Sequence, residues 1–163
     1  MAHRANGDIA AVNKRPESVL VVVHVAGRRF LMLKRAGASG FWQSVTGSLE
    51  AGETPVETAI REVREETALE VSASRLRDHR LCNRFEIPPR WRERYPPGTT
   101  HNIEHVFSLA LVESVPVRWR PEEHVDARWV DTDEALALAW SWTNRDGIRL
   151  VATNHRAADL PSD

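Results

Sequence analysis

GSLEAGETPVETAIREVREETAL, residues 47–69, opens a helix and loads one side of it with acid. Thr54 is placed to cap the helix N-terminus, Pro55 suits the first helical position, and Glu57 completes a capping box. Val56, Ala59, Ile60 and Val63 recur at helical spacing, so one face is expected to pack inward. Residues advance about 100° each, which puts Glu62 and Glu66 within about 40° of each other and Glu65 about 60° to the other side of Glu62. Such a crowd has two physical readings. A solvated face would be laced by the i,i+4 pairs Glu57–Arg61 and Arg61–Glu65, each contributing about 0.2–0.5 kcal/mol. A metal cluster would use a hard divalent cation to relieve the repulsion between Glu62 and Glu66.

Upstream, ESVLVVVHV (Glu17–Val25) is a β-branched run, and FLMLK (Phe30–Lys34) follows across Ala26-Gly27-Arg28. The pair predicts a hairpin with a buried first strand. FWQSVT, residues 41–46, predicts a short strand or extended segment ending at Gly47. Further strands are expected over 76–87, 103–112 and 125–130, and shorter helices near 132–140 and 143–151. PPRWRERYPPGTT, residues 88–100, is rich in proline and aromatics and is expected to be a loop. Elements in this order argue an α/β sandwich with a mixed sheet. Residues 1–15 read as a flexible leader, 16–152 as one domain and 153–163 as a polar tail that frays.

At 163 residues the chain can bury a real core. Its net charge of −1 offers no general attraction for nucleic acid or an acidic membrane, and neither is expected as a partner. An anionic partner must then be held by local charges or a metal. No apolar run approaches the roughly 20 residues of a membrane span, and the N-terminus lacks the apolar centre of a secretory signal. The single cysteine, Cys82, excludes an internal disulfide and suits a reducing, cytoplasmic compartment. Nothing in the sequence distinguishes a monomer from a homodimer.

Context separates the two readings of the acidic helix. Gly47 is followed six residues on by Glu53, and eight residues further come Arg61-Glu62, aliphatic Val63, and Glu65-Glu66. This spacing resembles the signature of the Nudix hydrolases: glycine, five residues, Glu, seven residues, Arg-Glu, an aliphatic, any residue, Glu-Glu. Ala68 departs from it, standing where the signature carries a glycine that would ease a left-handed exit from the helix. Alanine is expected to change that turn without touching any chemical group. The resemblance implies the Nudix fold, an α/β/α sandwich with a mixed sheet. It also implies hydrolysis of a diphosphate linked to another group, with Mg²⁺ held by carboxylates and Mn²⁺ fitting the same oxygen ligands. Carried over residue by residue, Glu62, Glu65 and Glu66 are metal ligands and the Gly47 carbonyl is a further one. Arg61 pairs with Glu53 or Glu65 and holds the cluster in shape. Glu123, in PEEHVDARW, aligns with a carboxylate that such enzymes bring to the metals from outside the box. It is the expected general base and an added ligand, with Glu122 as its competitor.

The resemblance extends beyond the box. KRPESVLVVV, FWQSVTGSLEAGET, RYPPGTTHNIEHVFSLAL and SWTNRDGI look like the bacterial dihydroneopterin triphosphate diphosphatases within that family. WQSVTGS stands where many Nudix proteins carry a proline-glycine-glycine turn. The implied substrate is a small-molecule triphosphate, split to a monophosphate and pyrophosphate. A pterin ring needs aromatic walls and fixed hydrogen-bond partners. Trp42 and Phe85 are expected as walls, and the amides of Gln43 and Asn144 as partners. Asn144 has a bland alternative as a helix cap. Lys34, Arg35 and Arg94 are candidate phosphate contacts.

Two strings point elsewhere and are set aside. HNIEH, residues 101–105, matches a zinc-protease pattern that needs a helix, but it runs into VFSLALV and reads as a strand. RWRERY, residues 90–95, mixes basic and aromatic residues like a nucleic-acid patch, yet with balanced net charge it reads as a substrate-side or dimer-contact loop. Two rival functions stand: a nucleotide-pool enzyme for ordinary or oxidised purine triphosphates, and a non-catalytic Nudix-fold metabolite sensor. A sensor would be expected to lose glutamates from the box, and this chain keeps them.

Overall fold

The computed structural model describes residues 13–37 and 40–158. Residues 1–12 of the expected leader and 159–163 of the expected tail lie outside the described residues. The chain runs β1 (Glu17–Val25), β2 (Arg29–Arg35), β3 (Trp42–Gln43), β4 (Val45–Ser48), α1 (Pro55–Thr67), β5 (Leu76–Glu86), β6 (His101–Leu111), β7 (His124–Asp131), α2 (Thr132–Leu138) and α3 (Trp142–Ala158).

The expected hairpin forms around a tight turn in which Ala26 and Gly27 take φ of 49° and 60°, closed by Arg28 N–H to Val25 carbonyl at 3.0 Å. Two consecutive positive φ values make a type I′ turn, whose twist matches that of the strands. The strands soon part. β1 pairs with β2 only at His24–Val25, then gives the same edge to antiparallel β4 over Ser18–Val21. Its other edge carries β6 in parallel, followed by antiparallel β5. The sheet is therefore mixed, in order β3-β2-β1-β6-β5, with β4 on β1 and β7 on β2.

Both faces of β1 are buried, as its β-branched run predicts. Val19, Val21 and Val23 meet Ala59 and Val63 of α1 on one face. Leu20 and Val22 meet Ile148 and Val151 of α3 on the other, beside Ala135 of α2. Helices on both faces complete an α/β/α sandwich, as the resemblance implies. Among the described residues no helix is long and apolar enough to cross a membrane.

Three local expectations change. Residues 89–94 form a 3-10 helix rather than plain loop. Arg92 anchors it, donating Nε to the Ile87 carbonyl at 2.9 Å and reaching Glu86 at 2.5 Å. α3 runs past Val151 to Ala158, because His155 packs against the hairpin turn, 4.9 Å from the His24 ring. A Cβ on Gly27 would come within 2.6 Å of that histidine. Ala68 takes the left-handed cap itself, at φ 63° and ψ 13°, and gives its N–H to the Arg64 carbonyl at 2.8 Å. The turn is the one glycine would make, retained at the roughly 1 kcal/mol that a side chain costs there.

Candidate active site

The capping box holds α1 in register: Glu57 accepts the Thr54 N–H at 2.8 Å, and Thr54 Oγ1 accepts the Glu57 N–H. Glu57 thus turns back to the cap. Arg61, 16% exposed, points instead into a carboxylate cluster. It donates Nε to Glu53 at 2.8 Å, Nη1 to Glu62 at 2.7 Å and to Glu65 at 3.2 Å, and Nη2 to the Ser48 carbonyl at 3.0 Å. Thr58 adds a hydroxyl donor to Glu53 at 2.6 Å. Burial opposes ionisation of Glu53, but the hydrogen bonds from Thr58 and Arg61 outweigh it and hold the carboxyl below its ordinary value.

Glu62 and Glu66 are buried. Burial raises Glu62 to about 7, against the pull of Arg61 and with Glu65 and Glu123 adding repulsion. Glu66 stands well above the carboxylate range for the same first reason, then through Glu62; the Thr46 N–H, 3.2 Å away, opposes the shift. β4 lies so close that a Cβ on Gly47 would come within 2.0 Å of the Glu62 carboxyl. The glycine here makes room for an acid. From the start of β7, Glu123 and His124 bring ligand atoms that lie, with one of Glu66, within 4.8 Å of one another. Glu122 is exposed and takes no part in that group. His124 is buried with neither ring nitrogen partnered, and burial, then Arg35, lowers it to about 4.

Beside the acids opens a pocket of about 440 Å³, at the end of the sheet where β1 and β6 begin and β2 and β5 finish. Lys14, Arg35 and Arg94 line it and crowd one another: burial lowers the Lys14 ammonium first, then Arg94 and Arg35, while Glu62 raises it. Phe85, Trp91, Tyr95 and Trp140 supply aromatic lining. Trp140 stacks on Phe41 at 4.8 Å and meets Trp91 edge-on at 5.6 Å. Ser18, Asn102 and Glu104 contribute a polar patch from the sheet. Among the described residues, the buried side-chain polar atoms without partners belong to Ser44, Asn102, His124 and Trp140; Asn102 and Trp140 line the pocket and His124 stands with the acids. Polar atoms left unpartnered there and satisfied elsewhere mark a place prepared for a ligand.

Residues 14–151 match the model of the NUDIX domain. The chain belongs to the NUDIX domain family. It is 43% identical over 146 residues to the dihydroneopterin triphosphate diphosphatase of Escherichia coli K12, covering 88% of this chain and 96% of that protein. It is 40% identical to the Haemophilus influenzae protein of the same name, over 88% and 91% of the two chains. The solved structure of the E. coli dihydroneopterin triphosphate pyrophosphohydrolase superposes with a TM-score of 0.79, covering 88% of this chain and 99% of that one.

Within this NUDIX domain, the predicted site residues fall into three groups. Glu53, Arg61, Glu62, Glu65 and Glu66 share one cluster, with Gly47 against it and Glu123 reaching it from the turn just before β7. Arg35, Gln43, Phe85, Arg94 and Asn144 line the pocket. Lys34 and Trp42 do not, because strand side chains alternate. Lys34 and Trp42 are cross-strand partners on the far side from Gln43, where Trp42 faces Arg128 at 4.8 Å and Lys34 at 6.0 Å. The Asn144 amide is engaged, accepting the Ser44 N–H at 2.8 Å and donating to Ser141 Oγ at 2.8 Å. It braces the β3–β4 bend against the start of α3.

Sequence reasoning missed His124, Lys14, the Trp140 and Trp91 walls, and the pair Asn102 and Glu104. The last were within reach: in HNIEH read as a strand, Asn102 and Glu104 share the face turned from both histidines. Their burial beside the pocket follows from the pairing of β6 with β1, which no local pattern shows.

Proposed function

We propose that the chain is a divalent-cation-dependent pyrophosphohydrolase that converts dihydroneopterin triphosphate to dihydroneopterin monophosphate and pyrophosphate. The observation that carries this reading is a buried carboxylate cluster adjoining a cation-lined, aromatic-walled pocket. End-to-end similarity to enzymes named for that reaction supports it.

The cluster fits a metal. Glu62 and Glu66 are packed together at the cost of raised pKa values, Gly47 leaves space for the Glu62 carboxyl, and the His124 nitrogens await a partner. Glu62, Glu65, Glu66 and Glu123 would hold Mg²⁺ or Mn²⁺, with the Gly47 carbonyl and His124 as further donors. When bound, the metal supplies positive charge against the phosphate oxygens and the departing pyrophosphate.

The protein's own groups do the rest. Arg61 fixes the carboxylates in one shape. Lys14, Arg35 and Arg94 take phosphate oxygens, and Phe85, Trp91 and Trp140 enclose the ring. Glu123 accepts the proton of a water whose oxygen bonds to phosphorus as the anhydride P–O bond breaks. The exposed lone cysteine Cys82 suits a reducing compartment, and we place the enzyme in the cytoplasm.

Phosphorus NMR of dihydroneopterin triphosphate incubated with the protein and Mg²⁺ tests the reaction. Pyrophosphate and the monophosphate should appear in equal amounts; stepwise release of orthophosphate contradicts the assignment.

A further inference from the structure

The aromatic walls accept any flat heterocycle, because every such ring presents a π-face. Choice among rings must therefore come from fixed polar groups. Asn144 is already engaged with Ser44 and Ser141, and Gln43 gives its amide N–H to Thr46 Oγ1 at a long 3.4 Å, so the buried carboxylate and amide of the patch on β6 and β1 stand out. Asn102 and Glu104 stand two residues apart on one face of β6 and are 2% and 4% exposed. Ser18 is the register partner of Glu104 on parallel β1. Asn102 donates its amide N–H to Ser18 Oγ at 2.7 Å, while its carbonyl oxygen has no partner. Among the described residues, Glu104 is met by neutral donors, the Asn83 amide at a long 3.4 Å and the Thr143 hydroxyl. Burial raises its carboxyl above the ordinary value, with these two bonds working against the shift.

This patch is rich in acceptors and short of donors. A carboxylate offers about four lone-pair sites and binds best to two parallel N–H groups. We propose that Glu104, with Asn102 beside it, selects the substrate by accepting the N–H groups of a 2-amino-4-oxopyrimidine edge, the edge that pterins and guanine share. The inference rests on the reaction proposed above and names what reads the ring. On this edge an amino group and a ring N–H lie side by side, matching the two carboxylate oxygens. Adenine sets its amino group beside a bare ring nitrogen, whose lone pair would face a carboxylate oxygen. Uracil flanks one N–H with two carbonyls and is repelled likewise.

The test compares kcat/KM for dihydroneopterin triphosphate, GTP and ATP with Mg²⁺ in the parent, Glu104→Gln and Glu104→Asp. All three proteins are first compared by thermal melting, and Asn102→Ala, for which pterin and GTP turnover should likewise fall relative to ATP, carries the test if Glu104→Gln melts early. Glu104→Gln puts a donor where an acceptor stood, so pterin and GTP turnover should fall by at least about tenfold relative to ATP. Glu104→Asp should keep the parent's order of substrates. Neopterin, which carries the edge without phosphate, should bind the metal-free parent by fluorescence and bind Glu104→Gln at least about tenfold more weakly. An equal fall for all three substrates, or unchanged neopterin affinity, overturns the inference. A parent that ignores the pterin triphosphate but prefers GTP to ATP, a preference lost in Glu104→Gln, overturns the proposed reaction and keeps the reader.

Discussion

At the α1 end of the site, acidic side chains crowd around one guanidinium, while at the β6 end a single buried carboxylate is met by an amide and a hydroxyl. Arg61 can keep several like charges in one shape, but among the described residues it makes no ion pair with Glu66, whose carboxyl lies 3.9 Å from the neutral His124 ring. The cluster is held in form and left short of positive charge, which suits a cation that comes and goes. Glu104 lacks an arginine altogether among its hydrogen-bond partners, so its unmet capacity is for neutral N–H donors. A buried carboxylate's partners thus indicate its ligand: repulsion among acids calls for a metal, and isolation among neutral groups calls for a donor-bearing ring.

The comparison breaks most visibly at Glu66. Glu66→Gln should lower turnover by about a thousandfold, the upper range for one lost electrostatic contact. The metal-free protein should melt no earlier, since a repelled, buried charge has been removed. A parallel loss of stability would show that Glu66 serves the fold. Gly47→Ala should follow with a fall of up to about a hundredfold, because displacing a reacting group by an ångström costs about that much. Its Cβ overlaps the Glu62 carboxyl, so calorimetry should show weakened Mn²⁺ binding as well. At the other end, Trp140→Ala should raise KM roughly tenfold with little change in kcat, as expected for a lost stacking surface. The smallest effect belongs outside both regions: Ala68→Gly should raise the unfolding free energy, read from a denaturant titration, by about 1 kcal/mol while leaving rates alone.

The two ends also differed in how much of them could be read from the chain. The core of the acid cluster was legible because Glu62, Glu65 and Glu66 lie within about one turn and a half of helix, where spacing fixes direction. The capping signals at Thr54, Pro55 and Glu57 even fix where that helix begins. The ring-binding end was only partly legible. Phe85, Trp91, Glu104, Trp140 and Lys14 come from separate elements and meet only through the parallel pairing of β1 with β6 and the anchoring of residues 89–94. Lys34 and Trp42 show the limit of local reading, since one step of strand alternation sends each away from the pocket while Arg35 and Gln43 point in. His155 shows another: the polar sequence at the end of α3 stays helical because of the hairpin turn it covers.

The most direct test is the initial rate of pyrophosphate release, with Mg²⁺, from dihydroneopterin triphosphate beside a panel of purine and pyrimidine nucleoside triphosphates. The account predicts a kcat/KM for the pterin at least about tenfold above every nucleotide, with GTP next. A pyrimidine or adenine nucleotide at the head of that series would contradict it.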